Sequence, residues 1–182
     1  MQANVIKSSL NAAFAKGCER MKVHCELIFL DIDGCLSDGS MIYGHDEIIK
    51  NFNVKDGSAI IAWLKLKKEA AIISGGPLCK AISDRAKDLG IKHVFCGVED
   101  KLSCAKELAK TLNIKLKHCA AIGDYYNDLA LLNAVGRAYL PKDAAKDLSG
   151  KRLKLKGGQG CVAEMIELIL ADLKIDKAKL WS

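Results

Sequence analysis

The chain has 182 residues, of which half are hydrophobic, 27% charged and 5% aromatic, with a formal net charge of +6. This is an ordinary globular profile with an aliphatic core, long enough for one domain. No apolar run reaches the ~18 residues of a membrane span, and no basic stretch is interleaved with the aromatic residues that nucleic-acid binding uses, so neither a membrane nor a nucleic acid is expected as a partner.

The positive balance fits an anionic ligand. Eight cysteines stand at irregular spacings with no Cys-x-x-Cys pair, which argues against structural zinc and thioredoxin-type chemistry. Free thiols, together with no signal-peptide pattern in the first 20 residues, lead us to expect a cytoplasmic protein.

In chain order, residues 1–24 predict a helix leading into "CELIFLD" (25–31), a short apolar run that reads as a buried strand. "SMIYGHDEIIKNFNV" (40–54) reads as a hairpin turning at 44–46. Asp56 is the expected N-cap of a helix through "GSAIIAWLKLKK". "AAIIS" (70–74) is a second buried strand, and "PLCKAISDRAKDLG" a helix opened by Pro77 and closed by Gly90. Then follow a strand at 92–96, a helix at 101–113, a strand at 118–124, a helix at 127–136 and a short strand at "RAYLP". "KRLKLK" (151–156) reads as an exposed edge strand whose cations discourage edge pairing. A helix at 161–173 comes last. The alternation implies an α/β fold: a doubly wound, Rossmann-like parallel sheet with helices on both faces and ligands beyond the carboxyl ends of its strands.

Four strand ends carry polar signals. Asp31 and Asp33 follow the first strand; an EF-hand is excluded because Cys35, Leu36 and Ile42 stand where ligands, Gly and Glu are required. An Asx turn explains the pair equally well. Ser74 with Gly75 and Gly76 ends the second strand and suits an oxyanion, although a plain strand-to-helix turn also uses glycines. Lys101 opens a helix, where a cation opposes the macrodipole; a solvated lysine is the ordinary reading. In "GDYYND", Asp124 ends a strand, and Asp128 has the position of a helix cap.

The order Asp-x-Asp-Gly, Ser, Lys, Gly-Asp-x-x-x-Asp, each at a strand end, resembles the haloacid dehalogenase superfamily of phosphotransferases. That resemblance implies Asp31 as nucleophile and Asp33 as general acid and base. It also implies Mg²⁺ held by Asp31, the Asp33 main-chain carbonyl and Asp124, with Asp128 supporting the ion's water shell. Ser74, the Gly75 amide and Lys101 would hold the phosphoryl oxygens. Only 42 residues separate Asp31 from Ser74, and 26 separate Ser74 from Lys101, which leaves no room for a cap domain. One domain over 1–182, with a hairpin at 40–53 in place of a cap, is therefore expected.

"DIDGCLSDG", "KNFNVKDG", "RAKDLGI", "GVEDK" and "GGQG" closely resemble the capless 3-deoxy-D-manno-octulosonate 8-phosphate phosphatases. The resemblance implies a small sugar-acid phosphate as substrate. It also implies a homotetramer in which the hairpin covers a neighbouring site, with Lys55, Asp56 and Gly57 near the substrate entrance. Two positions depart from that family: Gly76 and Ala163 stand where it usually has arginines. These departures keep a nine-carbon sugar acid 9-phosphate as the alternative substrate, with Lys55, Lys80 and Arg85 as remaining cations for its carboxylate. A non-enzymatic phosphoaspartate module is a further alternative, disfavoured by an acid/base at Asp33. A phosphomutase would need a closing cap.

Overall fold

The computed structural model describes residues 24–45, 47–176 and 180. Its elements are β1 (Leu27–Leu30), β2 (Ile42–Tyr43), β3 (Ile48–Ile49), α1 (Val54–Lys65), β4 (Glu69–Ile73), α2 (Lys80–Leu89) and β5 (His93–Phe95). They continue with α3 (Lys101–Thr111), β6 (Cys119–Ile122), α4 (Leu129–Ala134), β7 (Arg137–Leu140), β8 (Lys151–Arg152) and α5 (Cys161–Asp172). The helix expected over 1–24 falls almost wholly outside the described residues.

Six strands form one parallel sheet in the order β5-β4-β1-β6-β7-β8, with β2 and β3 as a separate antiparallel hairpin. The doubly wound expectation holds. From β1 the chain winds outward through β4 and β5, then returns to lay β6 on the other side of β1. Winding therefore reverses between β1 and β6, and ligand crevices form at such a reversal. Leu30 pairs with Ile72 on one side and Ile122 on the other, so Asp31, Ser74 and Gly123 emerge along one edge of the sheet.

All four residues of β1 are buried because each face of the sheet carries helices. Ile28 and Leu30 join Ile60 and Trp63 of α1 with Met165, Ile166 and Ile169 of α5. Leu27 and Phe29 turn the opposite way, to Ala105 and Leu108 of α3 and Leu131 and Leu132 of α4.

Several element ends differ from the sequence reading. α1 starts one turn early: Asn53, not Asp56, is its N-cap, its side chain accepting from the Lys55 amide at 2.9 Å. Asp56 instead reaches another helix. It is buried, and its Oδ1 accepts from the Ala163 amide of α5 at 2.7 Å. α2 begins at Lys80, with Pro77–Cys79 as a lead-in, and closes at Gly90 in the left-handed conformation (φ 75°) as expected. α4 is shortened because residues 126–128 form a 3₁₀ turn. The edge strand is only two residues long. Beyond it the amides of Lys154 and Leu155 turn to the Glu164 carboxylate, which removes them from any ladder.

Candidate active site

Asp31 leaves β1 at the crevice, largely buried, and its Oδ1 accepts from Lys101 Nζ at 2.7 Å. The same nitrogen lies 2.7 Å from Asp128 Oδ1, and the lysine side chain is 1% exposed. Lys101 is thus not a surface cation. It is the first residue of α3, whose N-cap is Asp100, and its side chain runs inward beneath two carboxylates. Burial pulls its pKa down, but Asp31 and Asp128 together outweigh this and hold it above the usual lysine range.

Asp128 acts in two directions. Its Oδ2 accepts from the amides of Asp124 at 3.0 Å and Tyr125 at 3.3 Å, so it pins the loop that carries Asp124 instead of capping α4. Gly123 permits this fold-back, since a Cβ there would lie 2.4 Å from the Asp128 carboxyl carbon. Burial, followed by the charge of Asp128, pushes the Asp31 carboxyl up to about 7 and that of Asp124 to about 6. A site that raises carboxylate pKa values in this way is matched to a cation that would neutralise the cluster.

Ligand atoms of Asp31, Asp124 and Cys35 all lie within 4.8 Å of one another. Gly34 is shaped by the same cluster: it holds φ 83°, and a Cβ on it would stand 2.2 Å from Asp124 Oδ2. A close-set pair of carboxylates beside a glycine fits a small, oxygen-loving divalent ion. Cys35 was not foreseen at this site. It is fully buried beside Asp31, and burial, then the Asp31 charge, pushes its thiol well above the usual range.

Asp33 turns away from that cluster. Its side chain is 36% exposed, and Oδ1 accepts from Ser37 Oγ at 2.9 Å and from Lys50 Nζ at 2.5 Å. Ser74 is buried, and its Oγ accepts from the Gly76 amide at 3.2 Å. The Ser74–Gly76 turn is tied to the loop after β5: the Gly97 amide donates to the Gly76 carbonyl at 2.7 Å, and Val98 to that of Ser74 at 3.1 Å. A Cβ on Gly76 would find ordinary contacts, 3.6 Å from Ser74 Oγ and 3.8 Å from Asp33 Oδ2, so this position borders the acid.

Lys55, Asp56 and Gly57 do not converge on the carboxylates. Lys55 lines a cavity of about 440 Å³ with Ser58, Gly160, Ala163 and Glu164, while Asp56 serves α5. Gly57 admits Arg85, whose Nη2 would be 2.4 Å from a Cβ there and donates to the Asn53 carbonyl at 3.1 Å. Lys80 is exposed and paired with Asp84.

Sequence reasoning missed Lys50 and Cys35, which carry no local signal, and the exact use of the tail glycines. A Cβ on Gly157 would stand 2.0 Å from the Gly34 carbonyl, and the Gly158 amide donates to the Cys35 carbonyl at 2.9 Å. The "GGQG" turn therefore backs the Asp31–Cys35 loop from behind.

A profile of haloacid dehalogenase-like hydrolases matches residues 97–151. The chain is 37% identical over 158 residues to 3-deoxy-D-manno-octulosonate 8-phosphate phosphatase of Escherichia coli strain K12, covering 84% of each. It is 38% identical over 148 residues to that of Yersinia pestis, covering 79% of each. Among solved structures, the Yersinia pestis enzyme superposes with a TM-score of 0.80 at 35% identity over 84% of each chain. The Moraxella catarrhalis enzyme, in complex with a magnesium ion, a phosphate ion and a KDO molecule, gives 0.80 at 36% identity over 84% of this chain and 90% of that one. With this extent of identity, and with the acidic strand ends gathered at one crevice, the chain belongs to the 3-deoxy-D-manno-octulosonate 8-phosphate phosphatase family of haloacid dehalogenase-like hydrolases.

Proposed function

We propose that this chain hydrolyses 3-deoxy-D-manno-octulosonate 8-phosphate with Mg²⁺ through a phosphoaspartate on Asp31. The observation that carries the reading is Lys101, buried between Asp31 and Asp128 at the β1–β6 crevice with Asp124 beside them. It gives one carboxylate a fixed orientation next to a set of hard oxygen donors. Magnesium held by Asp31, Asp124 and the Asp33 carbonyl would screen the carboxylates from the incoming phosphate dianion. The magnesium and KDO bound in the Moraxella catarrhalis relative support both ion and substrate.

In this scheme an Asp31 carboxylate oxygen forms a bond to phosphorus as the bond to the sugar oxygen breaks. Asp33 gives its proton to that leaving oxygen. A water then attacks the phosphoryl group, Asp33 takes its proton, and phosphate leaves with Asp31 restored. Ser74, the Gly75 amide and Lys101 bear on the equatorial oxygens as charge shifts. Asp128 keeps Lys101 and the Asp124 loop in place, and Lys50 with Ser37 fixes the Asp33 side chain.

Among the described residues, the segment between Asp31 and Ser74 holds only the hairpin, α1 and β4 as regular elements. Met41, Ile42, Tyr43 and Ile49 of the hairpin are exposed, which supports a homotetramer in which they cover a neighbour's site. No helix among the described residues is long and apolar enough to cross a membrane, and a cytoplasmic enzyme is proposed. A second reading rests on Gly76 and Ala163: both lack the cation usual in the family, and Gly76 borders Asp33, so a nine-carbon sugar acid 9-phosphate is kept as the alternative substrate.

A screen of sugar-acid phosphates against neutral sugar phosphates, with magnesium and with chelator, tests the reading. Phosphate release from the eight-carbon acid, lost in chelator, supports it. A higher kcat/KM for a nine-carbon acid would move the assignment to that substrate. Equal hydrolysis of neutral sugar phosphates would overturn both.

A further inference from the structure

Cys35 is placed where a metal donor would be, yet the proposed magnesium chemistry has no use for sulfur. A tight turn after β1 brings it there: the Cys35 amide donates to the Ile32 carbonyl at 3.2 Å, and that of Leu36 to the Asp31 carbonyl at 3.4 Å. Its own carbonyl is held by the Gly158 amide at 2.9 Å and by Cys161 Sγ at 3.3 Å. The backbone is thus fixed on two sides. The side chain is fully enclosed, and its sulfur is in no disulfide. Its sulfur and carboxylate oxygens of Asp31 and Asp124 lie within 4.8 Å of one another.

We infer that Cys35 gives this centre a second identity, as a site for soft divalent cations such as Zn²⁺ or Cd²⁺, held by Asp31, Asp124 and the Cys35 sulfur in competition with the hard catalytic ion. The inference rests on the reading of Asp31 and Asp124 as metal ligands. Zinc binds thiolate at about 2.3 Å and carboxylate oxygen at about 2.0–2.2 Å. Tetrahedral donors at those bond lengths stand about 3.3–3.8 Å apart, inside the observed limit. Magnesium takes oxygen and keeps its waters, so the sulfur is a bystander to it. When zinc binds, the S–H bond breaks, its proton passes to solvent and an S–Zn bond forms, with no change of oxidation state. Zinc held there would exclude the magnesium that the proposed chemistry uses, so the zinc form is an inhibited one.

Mn²⁺, an oxygen-preferring ion visible by electron paramagnetic resonance, reports occupancy without any activity measurement. In the wild-type protein, one equivalent of Zn²⁺ should release bound Mn²⁺, and X-ray absorption of the zinc form should show sulfur at about 2.3 Å. In Cys35→Val the sulfur neighbour should vanish and Zn²⁺ affinity should fall at least about tenfold, while Mn²⁺ affinity stays within about twofold. Zinc that expels Mn²⁺ with only oxygen or nitrogen neighbours would overturn the inference and leave the proposed function standing. A sulfur neighbour that survives in Cys35→Val would do the same. Wild-type protein that fails to bind Mn²⁺ at all would overturn the metal reading as well. The wild-type measurements decide the matter should Cys35→Val not fold.

Discussion

Lys50 Nζ stands 2.5 Å from Asp33 Oδ1, reaching it from the end of the hairpin, and its side chain is only 4% exposed. The contact joins the segment that replaces a cap to the proposed acid/base. Lys50→Ala leaves Asp33 with Ser37 as its neighbour and removes a charge-assisted hydrogen bond worth about 1.5–3 kcal/mol. Steady-state kinetics should show kcat reduced by roughly 10–100-fold with a smaller change in KM, partly recovered in Lys50→Arg. An unchanged kcat in Lys50→Ala would remove Lys50 from the site.

Asp33→Asn keeps the size of the side chain but cannot exchange a proton. Turnover should fall by roughly 10²–10⁴-fold. The thermal midpoint should hardly move, because this side chain is partly exposed. A normal rate would show that another group protonates the leaving oxygen.

Lys101→Met strips the buried bridge and leaves Asp31 and Asp128 facing each other without a cation. Breaking a buried pair on one side costs about 3–5 kcal/mol. Urea unfolding of the metal-free variant should show a loss of that order, and the variant should be inactive. A loss below about 1 kcal/mol would mean that the carboxylates relieve themselves by taking up protons.

Asp56 has its Oδ2 buried without a hydrogen-bond partner, and burial pushes its carboxyl up to about 6 despite the amides of Ala163, Gly160 and Val162. Its folded pKa lies above the ordinary value of 3.8. Between these values the folded state therefore holds more protons than the unfolded state, and this residue's contribution to stability falls as pH rises. The loss begins near pH 4 and is complete above about 6. Thermal midpoints of wild type and Asp56→Asn, taken across pH 4–7, should diverge in the variant's favour through that window and run parallel above it. Parallel curves throughout would show that Asp56 is not a buried acid.

The main site was legible because short apolar runs end at polar residues, and in a parallel sheet such ends meet at one edge. Asp31, Ser74 and Asp124 are of this kind, and Lys101 opens the helix that follows such a strand. Lys50 was not legible: its partner, Asp33, lies 17 residues away across a hairpin whose closing geometry has no sequence signal. Asp56 was misread as a cap because an acid before "GSAIIAWL" has the local form of one. Asn53 took that role three residues earlier, because Val54, which reads as the end of the hairpin, is instead the exposed first residue of the helix. Asp56 then caps a helix more than a hundred residues downstream. Cys35 has the composition of an ordinary core thiol, and only the turn after β1 places it beside Asp31.

Direct capture of the phosphoryl group tests the central claim. Enzyme mixed with magnesium and 3-deoxy-D-manno-octulosonate 8-phosphate, quenched in acid within a turnover and digested, should carry one phosphate on the peptide that contains Asp31. The modification should be absent in Asp31→Asn, which should also release no phosphate. Turnover that persists in Asp31→Asn, or a phosphate found on any other residue, would contradict it.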